Sequence, residues 1–476
     1  MVMSISDRIT IFLARLVALP ETRPALGEPQ MNQWTASPVS SIRARLKGGV
    51  SWNFAAAICT QGATFLTTLV LTHMAGIGIF GRYSMIQNTL ATVVTLSALS
   101  MSPTTTKFIS EFRSTDRDRT GRLLNLFQRI SLTSGLVAGL VFLATAGLIA
   151  HALKDPGLAP GLRIGSAFLF FSAVNAYQLG ALAGLEGYRS LAIAAALSGT
   201  LTLVAASAGM YFYGFVGAIF GQAIGSFGRF IFNKIALSLE CSRAGVVPHS
   251  GPVTGQGRVL TRFALPAMLS TYSGIPAIWF ANALVFRHAG GSSQMALYTA
   301  ALTFKTVLLF LPMTITGVTL SVINHSRATT NLGRYLKLYG LNVLVVSAAS
   351  IVFAIPFLLF GTTLLKAFGR DYPSGHEILT LMVLSSIVDG VGIAISPIFQ
   401  SQGRMWLLFC CLTLPRDTMF VTMVWFWVPV AGALGLARAQ LASGSYLTIA
   451  SGILAYGVIR GLRNCIPQPN TEVLAY

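Results

Sequence analysis

Along the amino-acid sequence, long apolar runs alternate with short polar segments, and this pattern predicts a bundle of membrane-spanning helices. A helix that crosses the hydrocarbon core of a bilayer needs about 20 mostly apolar residues. The sequence contains twelve such runs, at residues 50–74, 82–104, 127–151, 162–185, 190–212, 214–237, 260–286, 295–322, 335–360, 376–400, 405–428 and 430–459. The expected fold class is therefore an all-α polytopic membrane protein with twelve transmembrane helices.

One long polar connection divides the predicted spans into two groups of six. It contains the sequence VVPHSGPVTGQG, whose Gly, Ser and Pro residues are typical of a linker. We therefore expect a cytoplasmic N-terminal segment at 1–47, six-helix bundles at 48–238 and 260–460, a cytoplasmic linker at 239–259 and a cytoplasmic tail at 461–476. The N-terminal segment is either a short amphipathic helix on the membrane surface or a disordered tail.

The two halves share residues at a nearly constant offset, which indicates an internal duplication. The pairs at an offset of 215 residues are His73 with His288, Gly76 with Gly291, Tyr83 with Tyr298, and Gly217-Ala218 with Gly432-Ala433. Because each half has an even number of spans, both halves enter the membrane from the same side and form parallel repeats. Transporters commonly bind their substrate between such repeats.

Composition excludes a water-soluble domain. The chain of 476 residues is 54% hydrophobic and only 10% charged, whereas soluble domains carry roughly 25% charged residues. The net charge of +19 does not indicate a nucleic-acid partner, because the basic residues are scattered through short segments between apolar runs. Of the 33 Lys and Arg residues, 22 fall on the side of the N-terminus and six on the other. The positive-inside rule then predicts that both termini are cytoplasmic.

Sequence motifs give no sign of a cofactor or a metal. The stretch HMAGIGIFGRY contains G-x-G-x-x-G, but it follows an apolar run that is too long for the strand of a dinucleotide-binding turn. The five cysteines form no C-x-x-C pair, so neither zinc nor a disulfide framework is indicated. We expect no cofactor, and the glycines are expected to turn the chain between two helices.

Five charged residues of the second half lie well inside the spans, away from the span ends: Lys305, Asp389, Arg416, Asp417 and Arg438. A charge at mid-span costs about 2.5–3.5 kcal/mol on the insertion scale, so it usually faces a partner or a wet cavity. One interpretation is a set of structural ion pairs, such as Asp389 with Lys305 or with Arg438. The other is a cationic cavity, in which Arg416, Lys305 and Arg438, in that order, contact an anionic headgroup. Asp389 or Asp417 is then a candidate site for coupling to H⁺ or Na⁺.

Span seven contains two prolines, Pro266 and Pro276, on either side of a Ser-Gly pair. Proline removes a backbone hydrogen bond and bends a helix. The pair therefore marks either a gate or a simple packing kink.

Several segments resemble the Wzx-type polysaccharide flippases of the multidrug/oligosaccharidyl-lipid/polysaccharide (MOP) exporter superfamily. These segments are AGIGIFGRYSMIQNTL, TTTKFISEFR, GALAGLEGYRSLAI and ANALVFRHAGGSSQMALYTAA. The resemblance implies two six-helix bundles of the MATE/MOP type. It also implies alternating-access translocation of an undecaprenyl-diphosphate-linked oligosaccharide, for O-antigen or exopolysaccharide, across the bacterial inner membrane. The expected partners are this lipid-linked glycan, membrane lipids, and the polysaccharide polymerase and chain-length proteins.

Two alternatives remain open. A multidrug/cation antiporter shares the superfamily fold, but spans one to three contain no carboxylate to bind a cation. A membrane enzyme of polysaccharide assembly, such as a polymerase or ligase, usually presents a large outer loop. The longest outer loop predicted here, about 361–375, is too short for that. We therefore expect a transporter and no enzymatic activity.

Overall fold

The computed structural model of the protein describes residues 38–97, 101–251, 273–328, 332–401 and 408–464. These residues form helices and short connections, and none of them belongs to a β-strand. The chain divides into two compact units, Met1–Met268 and Leu269–Tyr476. The predicted N-terminal amphipathic helix lies outside the described residues.

The described residues of the first unit form five α-helices. They are α1 (Pro38–Ser97), α2 (Met101–Phe112), α3 (Arg117–Ala152), α4 (Ala159–Gly184) and α5 (Tyr188–Ala244), with a 3₁₀ turn at Pro156–Leu158 before α4. Helix α5 packs along α1 and α4, and α4 also packs along α2 and α3. Because α5 continues to Ala244, the helical part of this unit extends past the residue at which the linker was expected to begin.

The second unit has seven described α-helices, two of them short. They are α6 (Gly274–Arg287), α7 (Gly291–Ala328), α8 (Leu332–Leu359), α9 (Gly361–Lys366), α10 (His376–Ile395), α11 (Pro397–Ser401) and α12 (Leu414–Asn464). A 3₁₀ turn at Tyr372–Gly375 precedes α10, and a π-helical turn at Phe409–Thr413 precedes α12. Helix α10 lies at the centre of this unit and packs against α7, α8 and α12.

Among the described residues, eight helical segments are long and apolar enough to cross a membrane. Three of them, Ser51–Phe112, Tyr188–Ala244 and Phe409–Arg460, have more than fifty residues, and each covers two of the predicted spans. Helix α6 matches the end of span seven, whose beginning lies outside the described residues. The predicted all-α membrane fold is confirmed, and the number of twelve spans stays a prediction.

Glycine breaks each of the three long helices between its two spans. Gly76, Gly214 and Gly432 have φ angles of 66°, 61° and 55°, which a residue with a Cβ atom rarely adopts. The breaks at Gly214 and Gly432 also share their packing: a Cβ atom on Gly217 would overlap the carbonyl oxygen of Gly209, and one on Gly435 would overlap that of Trp427. These glycines are 218 residues apart in the two units. The pairing of Gly217-Ala218 with Gly432-Ala433 is therefore wrong by three residues, and Gly217 corresponds to Gly435.

Candidate functional site

All five mid-span charges lie in the second unit, on α7, α10 and α12. The Lys305 side chain, on α7, is only 10% exposed. Its Nζ lies 2.8 Å from Asp389 Oδ2 on α10 and donates to Ser385 Oγ at 2.8 Å and to Gln440 Oε1 at 3.4 Å. An ammonium group has three protons to donate, so these three acceptors occupy it fully. The geometry favours the ion-pair interpretation for Lys305.

The Asp389 carboxylate approaches the backbone of α12 closely. A Cβ atom on Gly444 would lie 2.8 Å from Asp389 Oδ1, so the absence of a side chain at that glycine gives the carboxylate its space. The Asp389 side chain is 26% exposed. Of the two partners considered from the sequence, the structure places Lys305 next to this carboxylate and not Arg438.

Arg416 and Asp417 form the second charge pair, near the beginning of α6. Arg416 Nε donates to Asp417 Oδ1 at 2.8 Å, and Ser273 Oγ donates to Asp417 Oδ2 at 2.9 Å. The Asp417 side chain is 10% exposed and that of Arg416 is 31% exposed. Pro276 lies in the first turn of α6, where a helix tolerates proline because its N–H would have no partner there. Pro266 lies outside the described residues, so the proposed gate stays a prediction.

Arg438 differs from the other four charges. It is exposed on α12, six residues after the break at Gly432, or about 9 Å along the helix. No carboxylate within ion-pairing distance of it is found in the described part of the chain. Since Lys305 and Arg416 each have a carboxylate partner, the excess positive charge of this set belongs to Arg438.

A pair of neutral contacts occurs in both units and was not predicted. In the first unit, the side chain of Gln222 donates to the hydroxyl of Tyr83. In the second, Gln440 forms a hydrogen bond with the hydroxyl of Tyr298. Both tyrosines are buried. Uncharged side chains carry little insertion cost, so hydropathy gave no signal for them; the Tyr83–Tyr298 offset was the only available hint.

A second repeated contact explains the position of Asp389. The side-chain Nδ2 of Asn175 on α4 donates a hydrogen bond to the backbone carbonyl of Ser226 on α5, at 3.0 Å. Asp389 and Gly444 occupy the corresponding positions of the second unit, 214 and 218 residues further on. The first unit therefore has a neutral amide contact where the second has a carboxylate paired with lysine.

The described residues contain no group of three or more His, Cys, Asp or Glu side chains that could hold a metal ion. The site is instead a set of hydrogen-bonded charges within a helical unit. Such an arrangement can hold helices together, and it can present Arg438 and the exposed part of Arg416 to an anion.

Known structures share this fold. A multidrug resistance MATE family transporter of the MOP superfamily, solved in an inward-facing conformation, superposes with a TM-score of 0.75 at 16% identity, over 86% of this chain and 96% of that one. A MOP superfamily transporter from Pyrococcus furiosus, reported with a binding pocket of reverse polarity, gives 0.68 at 18% identity, over 90% and 100%. The fold is therefore that of the MATE/MOP transporters.

Sequence comparison identifies the family within this class. The profile of the family described as polysaccharide biosynthesis protein matches residues 46–323, which is more than half of the chain. The chain belongs to this family. The EPS I polysaccharide export inner membrane protein EpsE of Ralstonia solanacearum is 22% identical over 372 residues, covering 74% of this chain and 80% of that one. These findings confirm the resemblance to the polysaccharide branch of the MOP exporters.

Proposed function

We propose that the chain is a polysaccharide export transporter of the bacterial inner membrane, which flips an undecaprenyl-diphosphate-linked oligosaccharide by alternating access. The observation that carries the proposal is the match to a polysaccharide biosynthesis family on a chain with a transporter fold. The name of EpsE supports export and the inner membrane as the location. Both termini are expected in the cytoplasm, and the polymerase and chain-length proteins are the expected partners.

Arg438 is the strongest candidate to contact the diphosphate. An arginine inside the hydrocarbon core costs about 2.5–3.5 kcal/mol, so its exposure favours a position against water. The guanidinium group forms two parallel hydrogen bonds to a phosphate. Arg416 ranks second, because part of its guanidinium group is occupied by Asp417. Lys305 ranks last, because Asp389, Ser385 and Gln440 occupy its protons.

Asp389 is the stronger candidate for coupling to H⁺ or Na⁺. Its side chain is 26% exposed, compared with 10% for Asp417, and it is paired with a lysine that is released when the carboxylate becomes protonated. Asp417 instead accepts from Ser273, directly before α6, and from Arg416 on its own helix. A coupling role is therefore assigned to the Lys305–Asp389 pair in this proposal.

Transport in proteoliposomes tests the role of Arg438. The substrate is a fluorescent polyprenyl-diphosphate disaccharide, and dithionite quenching reports the leaflet that it occupies. A charge-assisted hydrogen bond contributes about 1.5–3 kcal/mol, so Arg438→Ala is expected to lower transport about tenfold to a hundredfold, with partial recovery in Arg438→Lys. Arg163, which is exposed near the start of α4, provides the matched control Arg163→Ala. Normal transport by folded Arg438→Ala would remove this residue from the substrate site.

Multidrug/cation antiport is the second candidate, and the reported activity of the first structural neighbour favours it. The charges of the first unit argue against it. Among the described residues of that unit, every carboxylate lies near a helix end or in a connection, namely Glu111, Asp116, Asp118, Asp155, Glu186 and Glu240. The same proteoliposomes, loaded with a fluorescent organic cation and given a pH gradient, distinguish the two functions.

A further inference from the structure

The π-helical turn at Phe409–Thr413 lies directly before Pro415 and the Arg416–Asp417 pair. Proline has no N–H to donate to the carbonyl four residues earlier. In this turn the bonding pattern is wider: the N–H of Leu414 donates to the carbonyl of Phe409, five residues earlier. The Thr413 hydroxyl also donates to the carbonyl of Leu408, at 3.3 Å. Single π-helical turns are frequent at functional sites, and this one accommodates the lost donor with one extra residue.

The extra residue determines the direction in which Asp417 points. One residue of an α-helix corresponds to a rotation of about 100° about the helix axis. In an uninterrupted α-helix, the Asp417 side chain would therefore point in a direction about 100° away from the observed one, relative to the residues before the turn. As it stands, Asp417 is buried and accepts from Ser273, which directly precedes α6. Gly274 leaves room for the contact, because a Cβ atom there would lie 2.9 Å from Arg416 Nη2 and 3.1 Å from Asp417 Oδ1.

Asp417 in turn fixes the guanidinium group of Arg416. It accepts from both Nε and Nη2. Neighbouring residues on a helix do not normally face each other, so the Arg416 side chain must fold back to make these bonds. No hydrogen bond of Arg416 Nη1 is found in the described part of the chain, and the side chain is 31% exposed. The carboxylate therefore leaves Nη1, with its two protons, unbonded within the described part of the chain, on a guanidinium group that two hydrogen bonds orient.

We propose that Asp417 and Pro415 are positioning residues: the π-helical turn directs Asp417, and Asp417 orients Arg416 so that its Nη1 binds a phosphate of the lipid-linked substrate. This inference rests on the proposed function. Asp417 then acts through Arg416 and does not itself contact the substrate.

Headgroup discrimination separates this role from a merely structural one. Wild-type protein and Asp417→Asn are compared in proteoliposomes for transport of the same disaccharide on a polyprenyl diphosphate and on a polyprenyl monophosphate. Asparagine has the shape of aspartate and can still accept from Ser273, so the fold is expected to persist. The KM for the diphosphate lipid is expected to rise about tenfold with little change in maximal rate, and the preference over monophosphate is expected to fall by a similar factor.

Two further variants keep the test decisive. Ser273→Ala removes one bond to Asp417 and is expected to change the preference in the same direction, by about threefold, even if Asp417→Asn folds poorly. Asp371, which is exposed in the connection between α9 and α10, gives the matched control Asp371→Asn, with an unchanged preference.

Three results contradict the inference, and they differ in meaning. An equal loss for both lipids means that Asp417 only holds helices together. Tighter binding of the diphosphate lipid means that the carboxylate merely competes with the substrate for Arg416. If the wild-type protein moves neither lipid, the proposed function fails and this inference fails with it.

Discussion

The buried ion pair of Lys305 and Asp389 leads to a prediction about the free energy of unfolding. The corresponding residues of the first unit suggest which substitutions should test it. The first unit has Leu90 and Asn175 at the positions that correspond to this pair, and Leu90 is fully buried. The variants Lys305→Leu and Asp389→Asn therefore introduce side chains that the same fold already contains. The loss of stability in the double variant is expected to be smaller than the sum of the losses in the two single variants.

The expected size follows from burial. Removing one partner of a buried ion pair costs about 3–5 kcal/mol. Lys305→Leu is expected at or below the lower limit of this range, about 2–3 kcal/mol, because the remaining Asp389 side chain is 26% exposed and can be hydrated. Asp389→Asn is expected to cost about 3 kcal/mol, because it leaves the charge of the largely buried Lys305 without a carboxylate partner. The double variant leaves no unpaired charge, so we expect a coupling energy of about 2 kcal/mol.

The free energy of unfolding is measured by SDS titration in mixed micelles for the wild type, both single variants and the double variant. Lys366→Leu, at an exposed lysine of α9, controls for the general effect of replacing lysine by leucine. The reasoning is refuted if the two single effects add within about 0.5 kcal/mol, because independent sites behave in that way.

The repeated features of the two units give further predictions. Gly432→Ala is expected to cost more than about 2 kcal/mol, because the φ angle of Gly432 is 55° and a Cβ atom would overlap the amide of Gln294. Gly214 has a similar φ angle of 61° but open space around it, so Gly214→Ala is expected to cost only about 1 kcal/mol. Unfolding of the two variants in detergent compares them, and equal losses would contradict the role of the overlap. Tyr298→Phe removes the hydrogen bond to Gln440 and is expected to lower stability by about 1–1.5 kcal/mol; an unchanged unfolding midpoint would contradict that contact.

The helical architecture could be predicted because the membrane imposes it. Apolar runs of sufficient length predicted the spans, and the glycines of HMAGIGIFGRY predicted the turn that occurs at Gly76. The breaks at Gly214 and Gly432 were not predicted, because both glycines lie at the beginning of predicted spans. The exact offset between the halves could not be obtained from one matching dipeptide. The shared Gly-x-x-Gly pattern, at Gly214 and at Gly432, is the signal that would have given it.

For the candidate site, the sequence predicted which charged residues belong to it but not all of the contacts between them. The cost of charge in a membrane selected all five residues, and the pairing of Lys305 with Asp389 was one of the alternatives. The bond between Arg416 and Asp417 could not be inferred from helical spacing, because adjacent residues point about 100° apart. It depends on a π-helical turn and on Ser273, which hydropathy does not mark.

The central claim is most directly tested by transport of a lipid-linked glycan by the purified wild-type protein. Proteoliposomes with and without the protein receive a fluorescent polyprenyl-diphosphate oligosaccharide, the same glycan without its lipid, and a fluorescent organic cation. The account predicts protein-dependent movement of the diphosphate-linked glycan between leaflets and none of the other two compounds. Movement of the cation alone, or no movement of the lipid-linked glycan, would contradict it.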